Sequence, residues 1–218
     1  MALFKRLVPP DRTTDDVFRV LAVCTGNICR SPQVEKMLRA RVPAAFARES
    51  IGALSVSSAG THASEGEPMD PYAVGEAARL GVHISGAHRS RRLHKRQLEE
   101  VDLVLGAERR HRDESAKLLR RRSDIAFTVI EFALIVEHLA SSDAERVAPL
   151  GADGFAAFMR RVVSVAHDAR AEALPRAAIA LDLPDPYRYG PEVYRRSADT
   201  IDEHVTRIAA ALRTLAAG

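Results

Sequence analysis

Short apolar runs alternate along this chain with stretches in which apolar residues recur every three or four positions. VFRVLAV (17–23) is a β-branched run of the kind that forms a strand buried on both faces. LSVSSAG (54–60), VDLVLGA (101–107) and a weaker IAFTV (125–129) repeat the signal, and the last runs into helical periodicity. Ser31-Pro32 predicts a helix to about residue 42, with the serine as N-cap and the proline at the first helical position. DPYAVGEAARLG (70–81) predicts a second helix, capped by Asp70 and closed by Gly81. Helical spacing returns over 154–173 and again from Pro191 to Ala216. Strands and helices in this alternation predict an α/β fold, an open parallel sheet with helices on both faces. Residues 1–16, with Pro9, Pro10 and DRTTDD, carry no period and read as a flexible N-terminal arm. Residues 17–218 then form a single domain.

Composition narrows the function without naming it. The 218 residues are 46% hydrophobic and 28% charged, ordinary for a soluble globular protein. The most apolar stretch, FTVIEFALIVEHLA (127–140), is interrupted by Glu131 and Glu137, so no membrane span is expected. The N-terminus lacks an apolar signal-peptide core, and two cysteines cannot make a disulfide framework; both point to the cytoplasm. A net charge of +3 suits an anionic substrate. The basic tracts RSRRLHKR (89–96), RRHR (109–112) and RRR (120–122) lack interleaved aromatics and read as solvated faces rather than a nucleic-acid surface.

Both cysteines fall in one loop, VCTGNICRSP (23–32), directly after the first strand. Ligands of such folds bind where a strand's carboxyl end leads into a helix. Consecutive N–H groups of a tight loop over Thr25–Cys29, with the helix start at Ser31, make an anion-binding nest. Gly26 supplies backbone freedom, and Asn27 tolerates a left-handed conformation. Arg30 offers a planar fork to two phosphoryl oxygens. Cys24 sits in the middle of this positive cradle, which favours its thiolate, and Ser31 can donate a hydroxyl to the sulfur. Cys29 does not belong to a zinc site, which takes about four ligands, and a small buried loop residue is one reading of it.

The sequence V-C-T-G-N-I-C-R-S-P resembles the phosphate-binding signature of the low-molecular-weight protein-tyrosine phosphatases. The resemblance continues through SSAGTHASEGEPMDPYA (57–73), HRSRRL (88–93), VDLVLGAERRH (101–111) and LPDPYRYG (183–190), in the family's order. It implies a four-stranded parallel sheet in a Rossmann-like three-layer αβα arrangement, the phosphotyrosine protein phosphatase I type. It also implies hydrolysis of phosphotyrosine through a phosphocysteine intermediate, with no metal or cofactor. Cys24 would be the nucleophile, Arg30 the phosphate clamp and Asp185 of Asp185-Pro186 the general acid and base. Asp182 is a nearby rival to Asp185, and Asp70-Pro71 a second Asp-Pro whose aspartate serves better as a helix cap. Thr25, Gly26, Asn27, Ile28, Cys29 and Ser31 would hold the phosphate.

By the same resemblance Tyr187 and Ile28 wall the substrate pocket, and Cys29 is a resolving thiol for oxidised Cys24. Tyr189 is an exposed loop residue or a second wall. His62 and His88 are structural hydrogen-bonders. Expected partners are phosphotyrosine-containing proteins and a cognate tyrosine kinase. An apolar Ile28 favours phosphotyrosine, since related arginine phosphatases tend to carry threonine there. Competing readings are an arginine phosphatase, an arsenate reductase on the same fold and an inactive phospho-binding module. The chain is longer than most family members, and the excess is read as the arm plus a helical insertion at about 134–180.

Overall fold

The computed structural model describes residues 16–46, 53–82, 88–174 and 180–218. The expected arm lies outside the described residues except for Asp16. Four strands, β1 (Val17–Cys24), β2 (Ala53–Gly60), β3 (Leu103–Gly106) and β4 (Ala126–Thr128), make one parallel sheet in the order β2-β1-β3-β4. Each lies where its apolar run predicts, and the fold is the expected three-layer, Rossmann-like α/β class. Leu21, Val23, Leu103 and Leu105 are all buried, as they must be in parallel strands covered on both faces.

Among the described residues seven α-helices pack around the sheet: α1 (Arg30–Ala45), α2 (Pro71–Arg79), α3 (Lys95–Glu99), α4 (Arg109–Leu119), α5 (Val129–Ser142), α6 (Gly154–Ala173) and α7 (Pro191–Ala217). On one face of the sheet α1, α5, α6 and α7 converge. Leu38, Phe132, Met159 and Leu212 from those helices meet Val20, Val56, Leu103 and Leu105. Each such side chain contributes about 1.5–3 kcal/mol by leaving water. Helix α6 coincides with the helix expected inside 134–180. Helix α4 runs along β3 and β4. Its approach requires glycine at 106, where a Cβ would stand 2.7 Å from the backbone nitrogen of Arg112.

Helix α4 departs from expectation. RRHR reads as a solvated tract, yet it forms the helix's first turn, with His111 fully buried and Arg112 paired to the buried Glu131. The fully buried positions of α4 are the polar His111 and Ser115, and only the partly buried Ala116 and Leu119 bring apolar groups to the core, so its first turn reads as polar in sequence. Among the described residues no helix is long and apolar enough to cross a membrane.

Candidate active site

The strand order creates the site. From β1 the chain returns to β2 on one side, and from β3 to β4 on the other. The loops after β1 and β3 therefore diverge and leave a crevice at their carboxyl ends. Thr25, Gly26, Ile28 and Cys29 fill one wall, and Arg110, from the first turn after β3, stands at the other. The segment carrying Asp185 closes the top through two anchors. Leu183 donates its N–H to the Ala107 carbonyl at 2.8 Å, and the Ser197 hydroxyl of α7 donates to the Pro184 carbonyl at 2.9 Å. The resulting cavity has a volume of ≈ 380 Å³ and holds Cys24, Arg30 and Asp185 among its lining. Thr25, Gly26, Ile28, Cys29 and Tyr187 complete the expected set that reaches it.

Cys24 ends β1, and its sulfur lies 3.0 Å from Ser31 Oγ and accepts the Asn27 N–H at 3.3 Å. Ser31 is not the helix cap it was expected to be. Helix α1 begins at Arg30 with Cys29 as N-cap and no side-chain cap bond. The serine hydroxyl is committed to the sulfur's surroundings instead, and the N–H groups of the first turn, which have no intrahelical partners, face no capping side chain. Asn27 takes the left-handed conformation expected of it, with φ 55°. Its amide nitrogen donates to Ser31 Oγ at 3.0 Å and to Ser58 Oγ at 2.9 Å, and its Oδ1 accepts the Arg91 N–H at 2.8 Å. Ser58 in turn donates to the Glu35 carboxylate at 2.6 Å. Asn27 and Ser31 thus stand behind the cavity wall and hold the loop's shape.

Gly26 corrects the expectation of special backbone freedom. Positive φ falls on Asn27, while a Cβ at Gly26 would make only ordinary contact, 3.5 Å from the Ile28 side chain. The glycine that the loop demands is Gly60 at the end of β2, where a Cβ would lie 2.4 Å from the Thr25 carbonyl oxygen. His88 is the structural hydrogen-bonder expected: its Nε2 donates to the Asn27 carbonyl at 2.7 Å.

Arg30 is 2% exposed, and its fork is held between two carboxylates. One nitrogen donates to Glu108 and the other to Asp185 Oδ2 at 2.6 Å. Glu108 went unnoticed in the sequence, and it also pairs with Arg110 at 2.9 Å. Burial works against its charge, but Arg30 and Arg110 outweigh burial and hold the Glu108 carboxyl below the usual range. Asp182, the rival acid, lies elsewhere. It grips Arg109 through the backbone N–H at 2.7 Å and the guanidinium at 2.8 Å, and does not line the cavity.

His111 fastens the two walls together. Its Nδ1 accepts the Glu108 N–H at 3.1 Å, so the ring proton sits on Nε2 and is donated to Thr25 Oγ1 at 3.0 Å. Burial lowers its pKa from 6.5 to about 4, which keeps the ring neutral. The unfolded chain therefore takes up this proton first. Stability from neutral His111 is complete above about pH 6.5 and is lost as pH falls toward about 4. Urea midpoints measured across that window are expected to fall in the native protein, and to fall less in His111→Gln, which lacks the titration.

Cys29 and Tyr194 pack with Met69 and Ala73 behind the loop. Tyr194 donates its hydroxyl to Asp70 Oδ2 at 3.0 Å, while Asp70 caps α2 as expected and its N–H holds the Ile28 carbonyl at 2.9 Å. Burial first, and the Asp70 charge second, push the Cys29 thiol up to about 12. Tyr187 is half exposed at the rim; Tyr189 is outside it. His62, expected only as a hydrogen-bonder, shares a 3.0 Å contact with Thr61 Oγ1 and also lines the cavity, as do Ser64, Glu67 and Arg110.

A cysteine and an arginine six residues apart in a strand-to-helix anion loop, with an aspartate poised over both, define a cysteine-loop α/β protein of the phosphatase type. The chain belongs to the low molecular weight phosphotyrosine protein phosphatase family, whose model matches residues 19–161. It is 40% identical over 92 residues to the low molecular weight protein-tyrosine-phosphatase Etp of Escherichia coli K12, 42% of this chain and 55% of that protein. The aligned stretch thus spans about half the length of the curated relatives it matches. A low molecular weight protein tyrosine phosphatase from T. tengcongensis superposes with a TM-score of 0.59 at 26% identity, over 87% of this chain and 96% of that one. The YwlE arginine phosphatase from Geobacillus stearothermophilus gives 0.56 at 25% identity, over 88% and 90%.

Proposed function

We propose that this protein is a phosphatase that hydrolyses phosphotyrosine in proteins through a phosphocysteine intermediate. The observation that carries it is the convergence of Cys24, Arg30 and Asp185 on one cavity, with the sulfur bonded by Ser31 and the Asn27 N–H. The Cys24 thiolate attacks phosphorus in line while loop N–H groups and Arg30 carry the charge on the phosphoryl oxygens. The incoming phosphate takes the Arg30 nitrogen that Asp185 occupies, and Glu108 keeps its grip on the other. Released from the guanidinium, Asp185 in its protonated form gives its proton to the departing phenolate. Water then attacks the phosphocysteine, Asp185 accepts its proton, and the Cys24 thiolate leaves as phosphate is freed.

Ile28 and Tyr187 line the cavity and offer apolar walls to an aromatic ring, which supports tyrosine over arginine. The arsenate-reductase reading lacks the downstream cysteine pair that thioredoxin coupling needs, and an inactive module would have lost one of the three central residues. We take residues 17–218 as one cytoplasmic catalytic domain in which 134–180 adds α6 to the common core. The substrates would be phosphotyrosine proteins, made by a cognate kinase.

Cys29 is the thiol available to an oxidised Cys24: its sulfur would displace water from Cys24 sulfenic acid and close a disulfide. The raised pKa leaves little thiolate, so closure is expected to be slow at pH 7 and faster at pH 9, read by thiol mapping after peroxide.

The decisive assay is hydrolysis of an aryl phosphate without added metal, inhibited by vanadate, run beside phosphotyrosine and phosphoarginine peptides. Faster turnover of the phosphoarginine peptide would replace tyrosine by arginine as the substrate.

A further inference from the structure

The cavity proposed to receive a dianionic phosphate carries a carboxylate that, among the described residues, has no counterion. Arg30 is matched by Glu108 and Asp185, and Arg110 by Glu108. Glu67, on the loop between β2 and α2, also lines the cavity. Among the described residues its side chain has no hydrogen-bond or ion-pair partner. Its backbone, by contrast, is pinned at both ends. The Glu67 N–H donates to Ser90 Oγ at 2.9 Å, and the Ser90 N–H donates to the Glu67 carbonyl at 2.9 Å. Ser90 is itself 1% exposed. An exposed carboxylate on a backbone held in this way, unpaired among the described residues and beside an anion site, repels the phosphate unless the substrate brings a positive charge with it.

We propose that Glu67 selects phosphotyrosine substrates carrying a lysine or arginine next to the phosphorylated residue. The inference rests on the phosphatase reading above. The phosphate and ring descend past Ile28 and Tyr187 to Cys24, and the neighbouring residue of the peptide stays at the rim, within reach of Glu67. Arg110 does not cancel this preference, because Glu108 and the Thr25 hydroxyl, at 3.2 Å, already hold its guanidinium. An acidic neighbour would face Glu67 directly and be disfavoured.

The test compares kcat/KM for two phosphotyrosine peptides that differ only in lysine or glutamate beside the phosphotyrosine. The native protein is expected to favour the lysine peptide by about 2–5-fold at low salt, the range of an exposed ion pair, and less at high salt. Glu67→Gln should erase the ratio and Glu67→Lys should invert it. A ratio the same in all three proteins overturns the inference. So does a Glu67 effect confined to a phosphoarginine peptide, which would place the recognised cation in the phosphorylated residue itself. Aryl phosphate hydrolysis by the native protein keeps the two readings apart. Its absence sinks the phosphatase assignment, whereas its presence with no peptide preference sinks only the role of Glu67.

Discussion

Cys24→Ser is expected to abolish turnover of aryl phosphates, by at least about 10⁴-fold, while leaving the protein folded. Two cysteines line the cavity. Cys24 lies beside Arg30 with its sulfur 3.0 Å from Ser31 Oγ and accepting the Asn27 N–H, whereas burial pushes the Cys29 thiol up to about 12 and leaves it a poor nucleophile. A serine hydroxyl keeps the shape and can still accept the Asn27 N–H, but it ionises far less readily and cannot replace a thiolate at neutral pH. The change substitutes one oxygen for a buried sulfur, so the thermal midpoint should move by only a few degrees. Rapid acid quenching provides a second readout. The native enzyme should retain phosphate on Cys24 during turnover, and Cys24→Ser should retain none. Undiminished hydrolysis by this variant would place the nucleophile elsewhere and remove the phosphocysteine pathway.

The central loop was legible because its chemistry is local. A β-branched run ending at Cys24, an asparagine able to go left-handed and an arginine at the helix start are all specified within residues 17–30. Asp185 was legible through its proline and its family context. Glu108 was not. A glutamate followed by two arginines reads as a surface charge, and only the pairing of β1 with β3 brings it against Arg30, 78 positions away. Tyr194 was hidden in the same way: it satisfies the apolar stripe of α7, so nothing local marks its hydroxyl for Asp70. Ser31 shows the reverse error. Its residue type and the following proline spelled a cap, but tertiary contact with Cys24 and Asn27 competed for the hydroxyl and the helix began two residues earlier, at Arg30.

Asp185→Asn is expected to lower turnover by about 10²–10⁴-fold, with the larger losses for substrates whose leaving group is a weakly acidic phenol. A good leaving group departs without a proton, so the loss should shrink as the phenol becomes more acidic. That slope separates acid catalysis from mere distortion, since a displaced loop would slow every substrate alike. The asparagine keeps the anchors at Leu183 and Pro184 and can still accept from Arg30, so the cavity should retain its walls. Asp182→Asn is the contrast. Asp182 is spent on Arg109 at an exposed site, and although partial burial opposes its charge, Arg109 holds its carboxyl below the usual range. Removing that charge costs about 0–1 kcal/mol of stability and no step in the chemistry. Equal leaving-group sensitivity in the two variants would move the proton donor from Asp185 to Asp182. A steep slope in Asp185→Asn alone assigns the proton to the residue that Arg30 holds at rest and the phosphate sets free.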